Sequence, residues 1–133
     1  MVRILDFGGR EADRTVTVAS LRALKNSGTR LVQVTAGTAE EAAAAEAADI
    51  DMVACLANAV PEVRAGSSRV FVSAAIDFDG AVTEDDLLAA AFNALNAGAD
   101  AVITARAMSC VRRLTAEDLP VMDKLMAWLP ENM

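Results

Sequence analysis

The chain contains no histidine and no tyrosine. The first absence removes the commonest general base, the commonest transition-metal ligand and the usual catalytic triads; the second removes a phenol as proton donor. Proton chemistry must therefore rest on carboxylates, lysine, cysteine or a bound metal. Only two cysteines occur, Cys55 and Cys110, in unrelated contexts with no metal-site spacing. They point to a reduced, cytoplasmic setting. No apolar run approaches the ~20 residues of a membrane span; the longest, such as 70–76 (VFVSAAI), are far shorter. The opening MVRILDFGGREADR meets acidic residues early and has no small-residue cleavage site, so it does not read as a signal peptide. Basic residues are few and scattered, only Arg112 and Arg113 adjoining, and the net charge is −7. That balance argues against a nucleic-acid partner, which needs clustered Lys and Arg.

What is present is a hydrophobic fraction of 54%, rich in alanine, in 133 residues. This is enough for one globular domain, 1–133, without disulfides or metals to staple it. The segment 2–7 (VRILDF) predicts a short strand closed by Gly8-Gly9. Thr17 predicts a helix cap, with Val18, Leu21 and Leu24 on one face and Gly28 as stop. Residues 31–36 (LVQVTA) alternate as a strand does. Thr38 and Glu41 have capping-box spacing for a helix through Ala48. Residues 52–56 predict a second buried strand, and 58–65 a short helix with Pro61 near its start. Residues 70–76 form a continuous apolar run, as in a parallel sheet covered on both faces.

Asp77-Phe78-Asp79-Gly80 reads as a turn. Thr83 opens a helix whose first turn carries Glu84, Asp85 and Asp86, whose buried stripe is Leu87, Leu88, Ala91 and Leu95, and which Gly98 ends. Residues 101–104 predict a fourth strand. Beyond Arg106 two readings stand. Residues 119–122 suit a fifth strand, whereas Val121, Met122, Leu125, Trp128 and Leu129 form a helical stripe capped by Asp118 and stopped by Pro130, which is the preferred reading. The alternation predicts an α/β fold of repeated strand–helix units with a parallel sheet and right-handed crossovers.

Several runs resemble one known family. The segment TVTVASLRALKNSGTRLVQVTAGTAEEAAAAEAADIDMVACLAN resembles the opening of ketopantoate hydroxymethyltransferases: a T-V-x-x-L-x-x-L-K helix, a strand ending in T-A, a capped helix and a second strand. NAGADAVITA resembles the family's A-G-A-x-A-V-K-L-E strand, and VRRLTAEDLPVM its I-x-x-L-x-x-x-G-I-P-V-M stretch. The likeness spans 15–122. It implies the front half of a TIM-type (βα)8 barrel, since a whole barrel takes about 200 to 250 residues. The implied activity is hydroxymethyl transfer from methylenetetrahydrofolate to 3-methyl-2-oxobutanoate, in pantothenate biosynthesis. Magnesium would hold the keto acid and stabilise its enolate.

Carried over position by position, the resemblance leaves a depleted site. The family's G-D-S loop falls on Leu56, Ala57 and Asn58, so its metal-binding Asp is Ala57. The Asp ending the third strand corresponds to Ala75, the Glu ending the fourth to Ala105, and a nearby Lys to Ile103. The Tyr-Asp after T-A corresponds to Gly37 and Thr38, and the G-H after P-V-M to Asp123 and Lys124.

In parallel α/β folds, sites gather at the C-terminal ends of strands. That rule marks Thr35, Asn58 and Arg106 as candidate substrate-binding residues, Arg106 through its planar fork. It marks Asp77 and Asp79 as a candidate displaced magnesium site. Each has a structural reading too: a turn for D-F-D-G and an ion pair for Arg106. Two functions stand open, a magnesium-dependent aldol-type enzyme on a small α-keto acid, and a non-catalytic binder or assembly protein on the same scaffold. A flavodoxin-like anion binder ranks last, for want of a glycine-rich phosphate loop. With four or five strands the sheet either stays open or meets a second copy or another chain at its edges.

Overall fold

The computed structural model describes residues 1–76 and 84–103. Two antiparallel strands come first, β1 (Val2–Leu5) and β2 (Glu11–Arg14), in the register Val2 to Arg14 through Leu5 to Glu11. The expected turn joins them, with Gly9 at φ 76°, a region that glycine enters freely. Asp6 completes that turn: its carboxylate accepts from the backbone N–H of Arg10 at 2.9 Å and from Arg10 Nε at 3.0 Å. The returning strand is not apparent from sequence, because EADR has no apolar alternation.

Thr17 then caps α1 (Val18–Leu24), its hydroxyl accepting from the N–H of Ser20. The face formed by Val18, Leu21 and Leu24 buries none of them. Four parallel strands follow, β3 (Gln33–Thr35), β4 (Met52–Leu56), β5 (Phe71–Ala75) and β6 (Ala101–Ile103), hydrogen-bonded in sequence order. Between them run α2 (Ala39–Ala47), α3 (Val60–Gly66) and α4 (Glu84–Asn96), with a 3-10 turn at Ala57–Ala59 leading into α3.

Side-chain alternation puts Val53 and Cys55 of β4, and Val72 and Ala74 of β5, on one face. They share a buried cluster with Ala42 and Ala45 of α2, Val60 and Val63 of α3, and Ala94 of α4. All three helices therefore cover the same face of the sheet. Small side chains permit this: Gly66 lies so close to the Ala39 carbonyl of α2 that any Cβ there would overlap backbone. Along α4 the buried residues are Leu87 and Ala94, while Leu88 is 39% exposed. The core stripe is thus narrower than the leucine spacing suggests. On the reverse face Phe71 and Ser73 of β5 are buried and Leu56 of β4 is exposed. No described helix is long and apolar enough to cross a membrane.

Candidate functional site

Each strand of the parallel sheet delivers its C-terminal residue to one end of the fold. Thr35 ends β3 and is exposed, paired across the ladder with Ala54. Leu56 and Ala75 end β4 and β5 side by side, and Ile103 pairs Ala75 from β6. Asn58 follows β4 in the 3-10 turn, is exposed, and borders a shallow groove with Pro61 and Asn93. Thr35 and Asn58 thus stand at the same end of the sheet, on neighbouring strand exits, without a mutual hydrogen bond. Asp77, Asp79 and Arg106 lie outside the described residues.

The helices begin at this end and bring their unpaired N–H groups to it. At α2 a side-chain cap satisfies one of them, the N–H of Glu41. Thr38 Oγ1 accepts from the N–H of Glu41 at 3.2 Å, and Glu41 Oε2 accepts from the N–H of Gly37 at 2.6 Å. The capping box therefore closes one residue earlier than its usual form, on Gly37 rather than on Thr38. Ahead of α3 neither Leu56 nor Ala59 offers a side-chain cap.

Beside the Thr38 hydroxyl and the Glu41 carboxylate, which are engaged in the cap, the described strand exits offer the Thr35 hydroxyl, the Asn58 amide and backbone N–H groups. These donors orient a carboxylate or a ketone. They do not fit a magnesium ion, which takes carboxylate oxygens. No group of three or more His, Cys, Asp or Glu side chains is placed to hold a metal among the described residues. Cys55 lies beneath this end in the helix-side core; burial raises its thiol pKa above the usual range near 9, opposed by the charge of Arg64. That makes it an inert core thiol.

A denser polar cluster occupies the opposite end, where sequence reasoning found nothing. Asp100, just before β6, accepts from Arg14 Nε at 2.8 Å and from Arg64 Nη2 at 2.6 Å. It also accepts from the N–H of Val72 at 2.9 Å. Arg14 donates further to the Ser68 carbonyl, and Arg64 to those of Gly98 and Val70. Burial lowers the pKa of Arg64, an effect that Asp100 opposes and Arg14 reinforces. The carbonyls of loops and helix ends absorb much of the positive charge, as expected where helix C-termini gather. This end joins β2, α3, β5 and β6 together. The three residues lie 50 and 36 positions apart in the chain, and no local motif signals them.

No protein-family model matches the chain, and no curated protein sequence matches it.

Proposed function

We propose that the chain is a non-catalytic relative of the ketopantoate hydroxymethyltransferase scaffold, which binds a small α-keto acid at the C-terminal ends of its parallel strands. The observation that carries this reading is the strand register. Ala75 ends β5 beside Leu56 of β4, and Ala57 follows directly, so two positions where the resemblance expects metal-binding carboxylates hold methyl groups. Without them, neither position supplies a carboxylate to hold a magnesium ion against the charge of an enolate. The hydroxyl of Thr35 and the amide of Asn58 remain as donors for the keto acid, with Arg106 as the partner for its carboxylate. The sequential order of β3 to β6, with the helices on one face, supports reading the sheet as the front half of a (βα)8 barrel. In such a half-barrel the outer edge of β3 is a natural place for a second copy or a partner chain.

The test is proton NMR of 3-methyl-2-oxobutanoate in D₂O with the folded chain, with and without magnesium. The expected result is saturation transfer to the keto acid, diminished by Asn58→Ala and Thr35→Val, with its C3 proton signal persisting as in the protein-free control. Magnesium-dependent loss of that signal, abolished by Asp77→Asn or Asp79→Asn, would instead establish the enzymatic reading. Absence of saturation transfer would remove the keto acid as ligand.

A further inference from the structure

Among the described residues, the first fourteen meet the body of the protein at two places separated by open space. At the root, Arg14 is 3% exposed and bonded to Asp100 and to the Ser68 carbonyl. The next residue extends the anchor: the N–H of Thr15 donates to the Arg69 carbonyl, and its hydroxyl to that of Asp51, both at 2.9 Å. At the tip, Phe7 stacks on Phe92 of α4 with ring centroids 5.8 Å apart, and Arg10 Nη2 donates to the Asn96 carbonyl at 3.0 Å. Both tip contacts are wet, since Phe7 is 53% and Phe92 46% exposed, and the Arg10 side chain 62%. Between root and tip a cleft runs beneath the hairpin. Glu11 and Asp13 line one wall, Arg64, Ser68 and Gly98 the other.

No apolar side chain of residues 1–14 is buried, and none belongs to the core cluster. The hairpin is nonetheless internally complete, with four paired positions and a turn closed by Asp6 and Arg10. A unit stiff within itself, pinned at one end and held at the other by two exposed contacts, has a low-energy way to move as a body.

We infer that the N-terminal hairpin is a strap, hinged at the junction of Arg14 with Thr15 and latched by Phe7 on Phe92 and Arg10 on Asn96, whose opening widens the cleft over Arg14 and Arg64. Asp100 holds the hinge and does not take part in the opening.

Backbone relaxation dispersion by NMR on the full chain tests this, since it reads exchange on the microsecond-to-millisecond scale of such motions. Residues 2–13, together with Phe92 and Asn96, are expected to share one exchange process that leaves β4 and β5 untouched. Phe7→Ala removes one aromatic pair and should raise the open population about 2- to 10-fold. Arg10→Gln should raise it too, with loss of the nuclear Overhauser effects between the Phe7 and Phe92 rings. An increase confined to the variants counts in favour, as an open state then too rare to register in the parent. The idea is overturned if parent and both variants show no exchange over 2–13. It is equally overturned if the exchange spreads at the same rate through β4 and β5, which is global opening.

Discussion

Arg14 reaches Asp100 across 86 positions of sequence, Nε to Oδ1 at 2.8 Å, with the two side chains 3% and 8% exposed. The other carboxylate oxygen takes Arg64 at 2.6 Å and the N–H of Val72 at 2.9 Å. One buried carboxylate thus serves two guanidinium groups and a strand backbone. Taking charge out of water is costly, and removing one partner of such a set leaves the others uncompensated.

Asp100→Asn should therefore destabilise the protein by about 3–5 kcal/mol, the range for breaking a buried ion pair. Urea unfolding followed by circular dichroism measures this. A loss under about 1 kcal/mol would mean that the carbonyls around Arg14 and Arg64 suffice without the carboxylate. Arg3→Gln is the contrasting variant. Its pairing with Asp13 is at 3.4 Å between side chains 72% and 46% exposed, so its loss should change stability by less than about 1 kcal/mol.

The second prediction concerns the contact between α2 and α3. Gly66 closes α3 against the Ala39 carbonyl, which leaves no room for a methyl group, and backbone is the obstacle rather than a flexible side chain. Gly66→Ala must push the end of α3 away from the start of α2, at a cost of about 1–3 kcal/mol. Thermal unfolding should show a clear fall in Tm. Gly37→Ala, where a Cβ would meet only the end of the Glu41 side chain at 4.0 Å, should not show that fall.

How far the fold was legible follows from what each segment depends on. β4 and β5 announce themselves because a dense apolar run needs no context, although only β5 is buried on both faces. Thr17 and Thr38 announce helix starts because capping is a local hydrogen bond. β2 did not, since its residues are set by the turn at Asp6 and by the attachment of Arg14, neither of which is a local pattern. The leucines of α4 misled in part: Leu88 has apolar spacing but faces outward, and the smaller Ala94 fills the core. At the candidate site, the strand-end rule led to Thr35 and Asn58 at one end of the sheet. The polar cluster at the other end stayed hidden because its members meet only through tertiary structure.

Thr38 offers a test of the cap that orders the β3 exit. Thr38→Ala removes the acceptor for the Glu41 N–H and should cost about 0.5–2 kcal/mol. Glu41→Gln keeps a neutral acceptor for the Gly37 N–H while removing the charge that favours the helix N-terminus, so its cost should be smaller. Chemical denaturation of the two single variants and the double variant decides the matter. If the two losses add within about 0.3–0.5 kcal/mol, the residues act independently rather than as one cap.

Cys55 gives the pH dependence a definite sign. Burial lifts its thiol pKa in the folded chain above the value near 9 that it has when exposed. Well below pH 9 the thiol is protonated in both states and contributes no pH dependence. Above it the unfolded chain loses the proton first, so the unfolded state binds fewer protons and stability falls with rising pH. Unfolding measured between pH 8 and 10.5 in a Cys110→Ser background should show that decline, and Cys55→Ala should flatten it. The same burial should keep the folded Cys110→Ser protein unreactive toward a disulfide reagent at pH 8. Denaturant should then release one titratable thiol. Rapid labelling of the folded chain at that pH would place Cys55 outside the core and remove the basis for the pH dependence.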